Sequence, residues 1–184
     1  MTSLEVDPAT GLVRGARQVP SPNCDDRAAG QVPEVLVIHA ISLPPGQYGG
    51  PGIEQLFTNC LDPHGHPYYA DIAGLKVSSH LLIRRDGEVL QFVPLVRRAW
   101  HAGASWCEGR ARVNDFSIGI ELEGCEEEPY TDAQYRTLAE LTHVLLARYP
   151  DIRRDRIYGH EDIAPGRKLD PGPHFNWPRY LASI

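Results

Sequence analysis

The run Val35-Leu36-Val37-Ile38 is the tightest constraint on how this chain folds. Four aliphatic residues in a row, mostly β-branched, present no polar side to water, so they suit a strand covered on both faces. Strands of that kind sit inside parallel or mixed sheets with helices packed over them. Residues 79–84 and 88–93 flank Asp86-Gly87, two residues that tolerate positive φ, and predict a hairpin. Across residues 116–122 the pattern alternates: Phe116, Ile118, Ile120 and Leu122 share one face, and Ser117, Gly119 and Glu121 the other. Thr131 with Gln134 three residues later forms a capping box. Tyr135, Leu138, Leu141, Leu145 and Tyr149 then follow at helical spacing until Pro150 stops them. Residues 53–59 suggest one or two helical turns and residues 176–182 a short closing helix, while residues 152–158 are open between strand and extended segment. The fold class expected is α/β, a single domain with a mixed central β-sheet flanked by helices. Residues 1–33 are turn-rich and are expected to be an irregular N-terminal lead-in to a domain spanning 34–184.

Length and charge narrow the function classes. At 184 residues the chain is one domain's worth. Its formal net charge of −6 removes the basic surplus that a broad nucleic-acid footprint needs. The longest uncharged and mostly apolar stretch, residues 35–43, is less than half of the ~20 residues a membrane helix needs, so no membrane association is expected. Residues 1–7 hold no basic patch and no apolar core, unlike a secretory signal. The 4 cysteines include no Cys-x-x-Cys pair and read as reduced thiols in a cytoplasmic protein.

Three elements carry candidate chemistry. His39 ends the apolar strand, where open α/β sheets gather ligands; a lone histidine there is more often structural. Glu121 lies mid-strand beside only Ser117 and Gly119, and a carboxylate in an apolar strand must be paired, hydrated or catalytic. The alternative for Glu121 is a solvent-facing edge strand. The third element is residues 159–173, whose Pro-Gly steps stiffen a loop presenting His160, Asp162, Lys168 and Asp170. Taken together, His39, His160 and Asp170 offer two nitrogens and one oxygen, which suits a catalytic zinc ion (Zn2+) with its fourth position left for water. Glu121 is then placed to take the water's proton and pass it to a leaving amine, and Lys168 to meet the charge growing on a tetrahedral oxyanion. His80 and His101 are expected to line a cleft without touching metal, and Trp106 and Tyr48 to offer apolar faces to a sugar, with Trp100 either doing the same or, as the safer reading, packing in the core. His64-Gly65-His66 is weak as a metal pair and reads as plain loop.

Several longer stretches agree with one family. Val37-Ile38-His39 running into Ser42-Leu43-Pro44-Pro45-Gly46, Trp100-His101-Ala102-Gly103, residues 114–124 and residues 159–173 resemble the type 2 N-acetylmuramoyl-L-alanine amidases, and the resemblance covers residues 11–180. It implies a zinc amidase domain over 34–184 with a peptidoglycan-recognition-like fold, one zinc per chain on His39, His160 and Asp170, Glu121 as proton acceptor and Lys168 as transition-state stabiliser. It also implies a small-molecule substrate, an anhydromuropeptide cut between the lactyl group of 1,6-anhydro-N-acetylmuramic acid and L-alanine. Arg112 and Lys76 match basic residues that grip stem-peptide carboxylates, and His101 is grouped with them as substrate-binding. A monomer acting in cytoplasmic wall recycling, with an indirect effect on β-lactamase induction, follows from the same likeness. Two positions depart from the pattern. Ala40 stands where asparagine is usual. Lys76 stands where arginine is usual, which weakens planar carboxylate recognition. The competing expectation is a muropeptide-recognition module on the same fold that does not cut; a zinc peptidase lacks its HExxH.

Overall fold

In the computed structural model, which describes residues 3–184, two strands dominate. In chain order the elements begin with four short strands, β1 (Glu5–Val6), β2 (Val13–Arg14), β3 (Arg17–Gln18) and β4 (Cys24–Asp26), before the long β5 (Val35–Ile41). Helices α1 (Gly52–Phe57) and α2 (Tyr69–Ile72) lead to β6 (Leu81–Ile83), β7 (Val89–Gln91), β8 (Arg97–Ala99), β9 (Trp106–Cys107) and β10 (Arg110–Ala111). The second long strand, β11 (Ser117–Glu123), is followed by α3 (Asp132–Arg148), β12 (Ile157–Gly159), α4 (His160–Ile163) and α5 (Trp177–Ala182).

The central sheet has the order β12-β5-β11-β6-β7-β3. β12, β5, β11 and β6 run parallel, and β7 turns back antiparallel to β6. β5 and β11 are the middle of this sheet, which is why every residue of β11 and the first five of β5 are buried. Glu121 is therefore on a central strand, not an exposed edge.

Alternation along the strands divides the core. Leu36 and Ile38 of β5, Ile118, Ile120 and Leu122 of β11, and Leu81 and Ile83 of β6 face one way, where α3 lays Tyr135, Leu138, Leu141 and Leu145 across them. The capping box that starts α3 forms as expected, with Thr131 Oγ1 accepting from the Gln134 amide. Buried Gln134 then donates to the carbonyls of Ile83 and Glu123, fastening the helix start to the ends of β6 and β11. On the opposite face there are two apolar clusters: Val35 and Val37 with Ala102, Val113, Phe116 and Ile163, and Leu82 and Leu90 with Leu43, Ile53, Phe57 and Tyr69. Polar side chains of β5 and β11 share this second face.

The hairpin forms in the register Leu81↔Gln91, Leu82↔Leu90, Ile83↔Val89. Only Gly87 of the Asp86-Gly87 pair takes positive φ (91°), because the Gly87 amide bonds back to the Arg84 carbonyl and the loop closes over three residues.

The expected lead-in is corrected over its described part. β3 is a strand of the central sheet, Val6 and Val13 belong to the core, and the Arg27 guanidinium donates to the carbonyls of Asn114, Asp115 and Ser117. Strands of two residues carry no periodicity to read, and the partner of β3, strand β7, lies about seventy positions away in sequence. Packing puts no boundary at residue 33; Met1 and Thr2 lie outside the described residues. No described helix is long and apolar enough to cross a membrane.

Candidate active site

The register of the central strands assembles the site. His39 and Glu121 are direct partners across β5 and β11, so both point from the face opposite α3. On the other side of β5, Gly159 of β12 pairs with Ile38, which carries the next residue, His160, alongside His39. The chain turns there into α4, with the Gly159 amide donating to Asp162 Oδ2. The following loop is drawn back by two bonds. The Glu161 amide donates to the Asp170 carbonyl at 2.9 Å, and the Ala40 amide to Asp170 Oδ2 at 3.4 Å. The backbone of Ala40 thus helps hold Asp170.

Three donor atoms converge. His39 Nδ1 lies 2.9 Å from His160 Nδ1, and Asp170 Oδ2 lies 3.3 Å from the first and 3.1 Å from the second. All three residues are buried, and their donor atoms fall within 4.8 Å of one another. Tetrahedral zinc with bonds of about 2.0–2.2 Å sets its ligands about 3.4 Å apart, close to this spacing. Burial, opposed by Asp170, pushes His39 down to about 4, so at neutral pH it is an uncharged imidazole with a lone pair to give. Burial would raise Asp170, yet bonds from His160 and His39 hold its carboxyl well below the usual range, leaving a carboxylate. Two imidazole nitrogens and one carboxylate oxygen crowded together are a donor set for a dication.

Both histidines are held from behind. His39 Nε2 sits 2.9 Å from His101 Nδ1, and His160 Nε2 sits 3.2 Å from the Ala102 carbonyl. Residues 101 and 102 both donate their amides to Asn114 Oδ1.

Glu121 is 8% exposed, and its Oε2 has no hydrogen-bond partner among the described residues. Burial first, and Asp170 second, push its carboxyl well above the ordinary glutamate range, with Lys168 pulling the other way. A carboxyl so placed binds a proton more tightly than an ordinary glutamate, which suits it to proton transfer. Lys168, half-buried, lines the same cleft of about 780 Å3 as His39, Glu121, His160 and Asp170. Tyr68, Leu75, Trp100 and Leu169 supply its apolar rim.

Other expected site residues are placed elsewhere. Arg112 is exposed, in the left-handed region (φ 62°), and its guanidinium is 3.1 Å from Asp115 rather than on the cleft lining. Lys76 is exposed, and its neighbours Leu75 and Val77 line the cleft while it does not. His101 reaches the cleft wall, but its ring nitrogens are taken by His39 and Ser117 Oγ. His80 is fully buried, accepting from the Gly119 amide at Nδ1, and is absent from the lining. Trp100 lines the cleft; Trp106 and Tyr48 do not. Ser117 and Asn114 carry no signal in the sequence, because small polar residues in a strand and a turn show no role until their partners are known.

Residues 29–173 match the N-acetylmuramoyl-L-alanine amidase family. The chain is 58% identical over 174 residues to the 1,6-anhydro-N-acetylmuramyl-L-alanine amidase AmpD of Escherichia coli K12, covering 95% of this chain and 94% of that one. A crystal structure of a selenomethionine AmpD derivative superposes with a TM-score of 0.94 at 55% identity, covering 97% and 98% of the two chains. The E. coli amidase AmiD, solved with the substrate anhydro-N-acetylmuramic acid-L-Ala-D-gamma-Glu-L-Lys, aligns with a TM-score of 0.61 at 28% identity, covering 100% of this chain and 66% of that one.

Proposed function

The chain belongs to the N-acetylmuramoyl-L-alanine amidase family, and from that premise we propose that it hydrolyses the amide between the lactyl group of 1,6-anhydro-N-acetylmuramic acid and L-alanine, with one zinc ion held by His39, His160 and Asp170. The observation that carries the zinc reading is the meeting of His39 Nδ1, His160 Nδ1 and Asp170 Oδ2 at the floor of the cleft. When bound, zinc supplies Lewis acidity, polarising a carbonyl and bringing the pKa of water from 15.7 to about 7.

The chain's own groups account for the remaining chemistry. Glu121, buried and unpaired at Oε2, removes a proton from the attacking water and returns it to the departing L-alanine nitrogen, which must leave as an amine. Lys168, on the lining of the same cleft, offers an ammonium to the negative charge that grows on the former carbonyl oxygen. The apolar rim gives the sugar and lactyl carbons a surface to lie against and narrows the water around the scissile bond. Glu121 and Lys168 are also what separates this reading from a recognition module, which needs neither a proton carrier nor a charge stabiliser.

We place the activity in the cytoplasm, in a monomer, as a step of wall-fragment recycling that sets muropeptide levels and through them β-lactamase induction. The free thiols of all 4 cysteines fit a reducing compartment. The test is release of the L-Ala-peptide from anhydromuropeptide by chain carrying one zinc, its loss on chelation and its return with added zinc. Tight binding of the muropeptide by zinc-loaded chain without any release would instead identify the recognition module.

A further inference from the structure

Behind the three donor atoms lies a second row of polar contacts that neither the hydrolysis nor substrate binding uses. It runs from His39 Nε2 to His101 Nδ1 (2.9 Å) and from His101 Nε2 to Ser117 Oγ (3.0 Å). Ser117 is wholly buried, and His101 nearly so. The direction of the protons follows from the first link. With the His39 Nδ1 lone pair given to the proposed zinc, its neutral ring carries hydrogen on Nε2 and donates to His101 Nδ1. That nitrogen must then accept, so His101 carries its own hydrogen on Nε2 and donates to Ser117 Oγ. Each ring nitrogen of His101 then has one role, and neither is left over for a substrate.

A second observation, independent of the bonds, shows that the strand is shaped for this ring. Gly119 lies between Ser117 and Glu121 on the same face of β11, and a Cβ there would come within 2.6 Å of His101 Cγ and Nδ1. No side chain fits, so the imidazole occupies the space a side chain at 119 would take. From the other side Asn114 Oδ1 accepts the amides of His101 and Ala102, which fixes the residue from which the ring projects.

We infer that His101 is a positioning residue for the metal ligand His39, anchored at its far side by Ser117 and seated in the space left by Gly119, and not a substrate-binding residue. This rests on the reading of His39, His160 and Asp170 as the zinc ligands. It gives His39 the same service that the Ala102 carbonyl performs for His160: an acceptor behind the ring that fixes which nitrogen faces the cation and raises its donor strength. One turn of chain, residues 101–102, thereby orients both imidazoles.

The experiment uses full-length chain stripped of metal and measures zinc affinity by competition with a chromophoric chelator, together with the visible absorption of the cobalt(II)-loaded form. Wild type must first take up one zinc; if it takes up none, the proposed function fails and not this inference. Losing an outer partner of a ligand histidine weakens metal binding about 10–100-fold, the loss expected for His101→Leu, along with a changed cobalt spectrum. His101→Asn offers a side-chain oxygen at the same position as Nδ1 and is expected to recover most of the affinity and the wild-type spectrum. Ser117→Ala removes the far acceptor without touching the ring and is expected to weaken zinc several-fold, which keeps the test decisive should His101→Leu fail to fold. Wild-type zinc affinity and cobalt spectra in both His101→Leu and Ser117→Ala, or a rise in KM for anhydromuropeptide as the sole effect of His101→Leu, would overturn the inference.

Discussion

Two glutamates on one strand face show how environment separates roles at the scale of the residue. Glu123 and Glu121 are two positions apart on β11, both buried. Glu123 is spoken for by the Arg84 guanidinium at 2.6 Å and by the amides of Gly49 and Arg85. Glu121 has no such cation in contact, and its Oε2 has no partner among the described residues. An ionised carboxylate left that way costs several kcal/mol, so burial raises its affinity for a proton and makes the carboxylate a stronger base toward the attacking water. Glu121→Gln is therefore expected to keep its zinc and lose turnover about 10²–10⁴-fold, the usual worth of a positioned proton-transfer group. Asp170→Ala, by contrast, is expected to lose the metal, since only two neutral nitrogens would remain. Metal content and kcat measured on both variants separate the roles; a Glu121→Gln chain that turns over at the wild-type rate removes Glu121 from the reaction. The candidate chemistry at these positions was legible from residue type. That Glu121 is unpaired while Glu123 is not was invisible, because Arg84 lies about forty positions away in sequence.

Elements whose cause is local were read correctly, and those whose cause is distant were not. The α3 capping box needs only Thr131 and Gln134, and it forms. Thr131→Ala is expected to cost about 1 kcal/mol, which for a domain of this size lowers Tm by roughly 2–4 °C; thermal unfolding followed by circular dichroism checks it, and an unchanged Tm would mean that tertiary contacts alone define the helix start. The hairpin turn was visible from Asp86-Gly87, but what makes Gly87 necessary is tertiary as well as local. A Cβ there would lie 2.9 Å from Thr137 Oγ1 on α3. The opposite failure is β3, a two-residue strand that joins the sheet through β7 and has no pattern of its own.

Across the whole molecule, a chain of charges ties the sheet to its cover. Arg17 of β3 reaches Glu54 of α1 at 2.7 Å, Glu54 meets Arg84 at 2.9 Å, and Arg84 meets Glu123 of β11. Hydrogen bonds from Arg17, and then from Arg84, hold the Glu54 carboxyl below its ordinary pKa despite partial burial. A group whose folded pKa is depressed contributes stability above its unfolded pKa, near 4.5, and loses that contribution as pH falls through the folded value. Glu54→Gln is accordingly expected to destabilise by about 1–3 kcal/mol at pH 7, where Arg84 is left with a weaker partner, and the gap to wild type is expected to close as the pH drops below 4. Denaturant unfolding at pH 7 and pH 3 measures both; an equal gap at the two pH values would mean that packing, not charge, accounts for the loss.

The amino-acid order alone determined whatever depends on near neighbours or on side-chain identity: two buried strands, a capped amphipathic helix, a tight hairpin, and the supply of imidazole, carboxylate and ammonium groups that a zinc hydrolase needs. Only the folded chain decided where those groups stand, because strand pairing joins residues by register rather than by distance along the backbone. The pairing of His39 with Glu121, the arrival of His160 from β12 and the seat for His101 over Gly119 all follow from that register. A shift of one residue in it would turn His39 or Glu121 toward α3 and dissolve the site, while leaving every local pattern in the sequence intact.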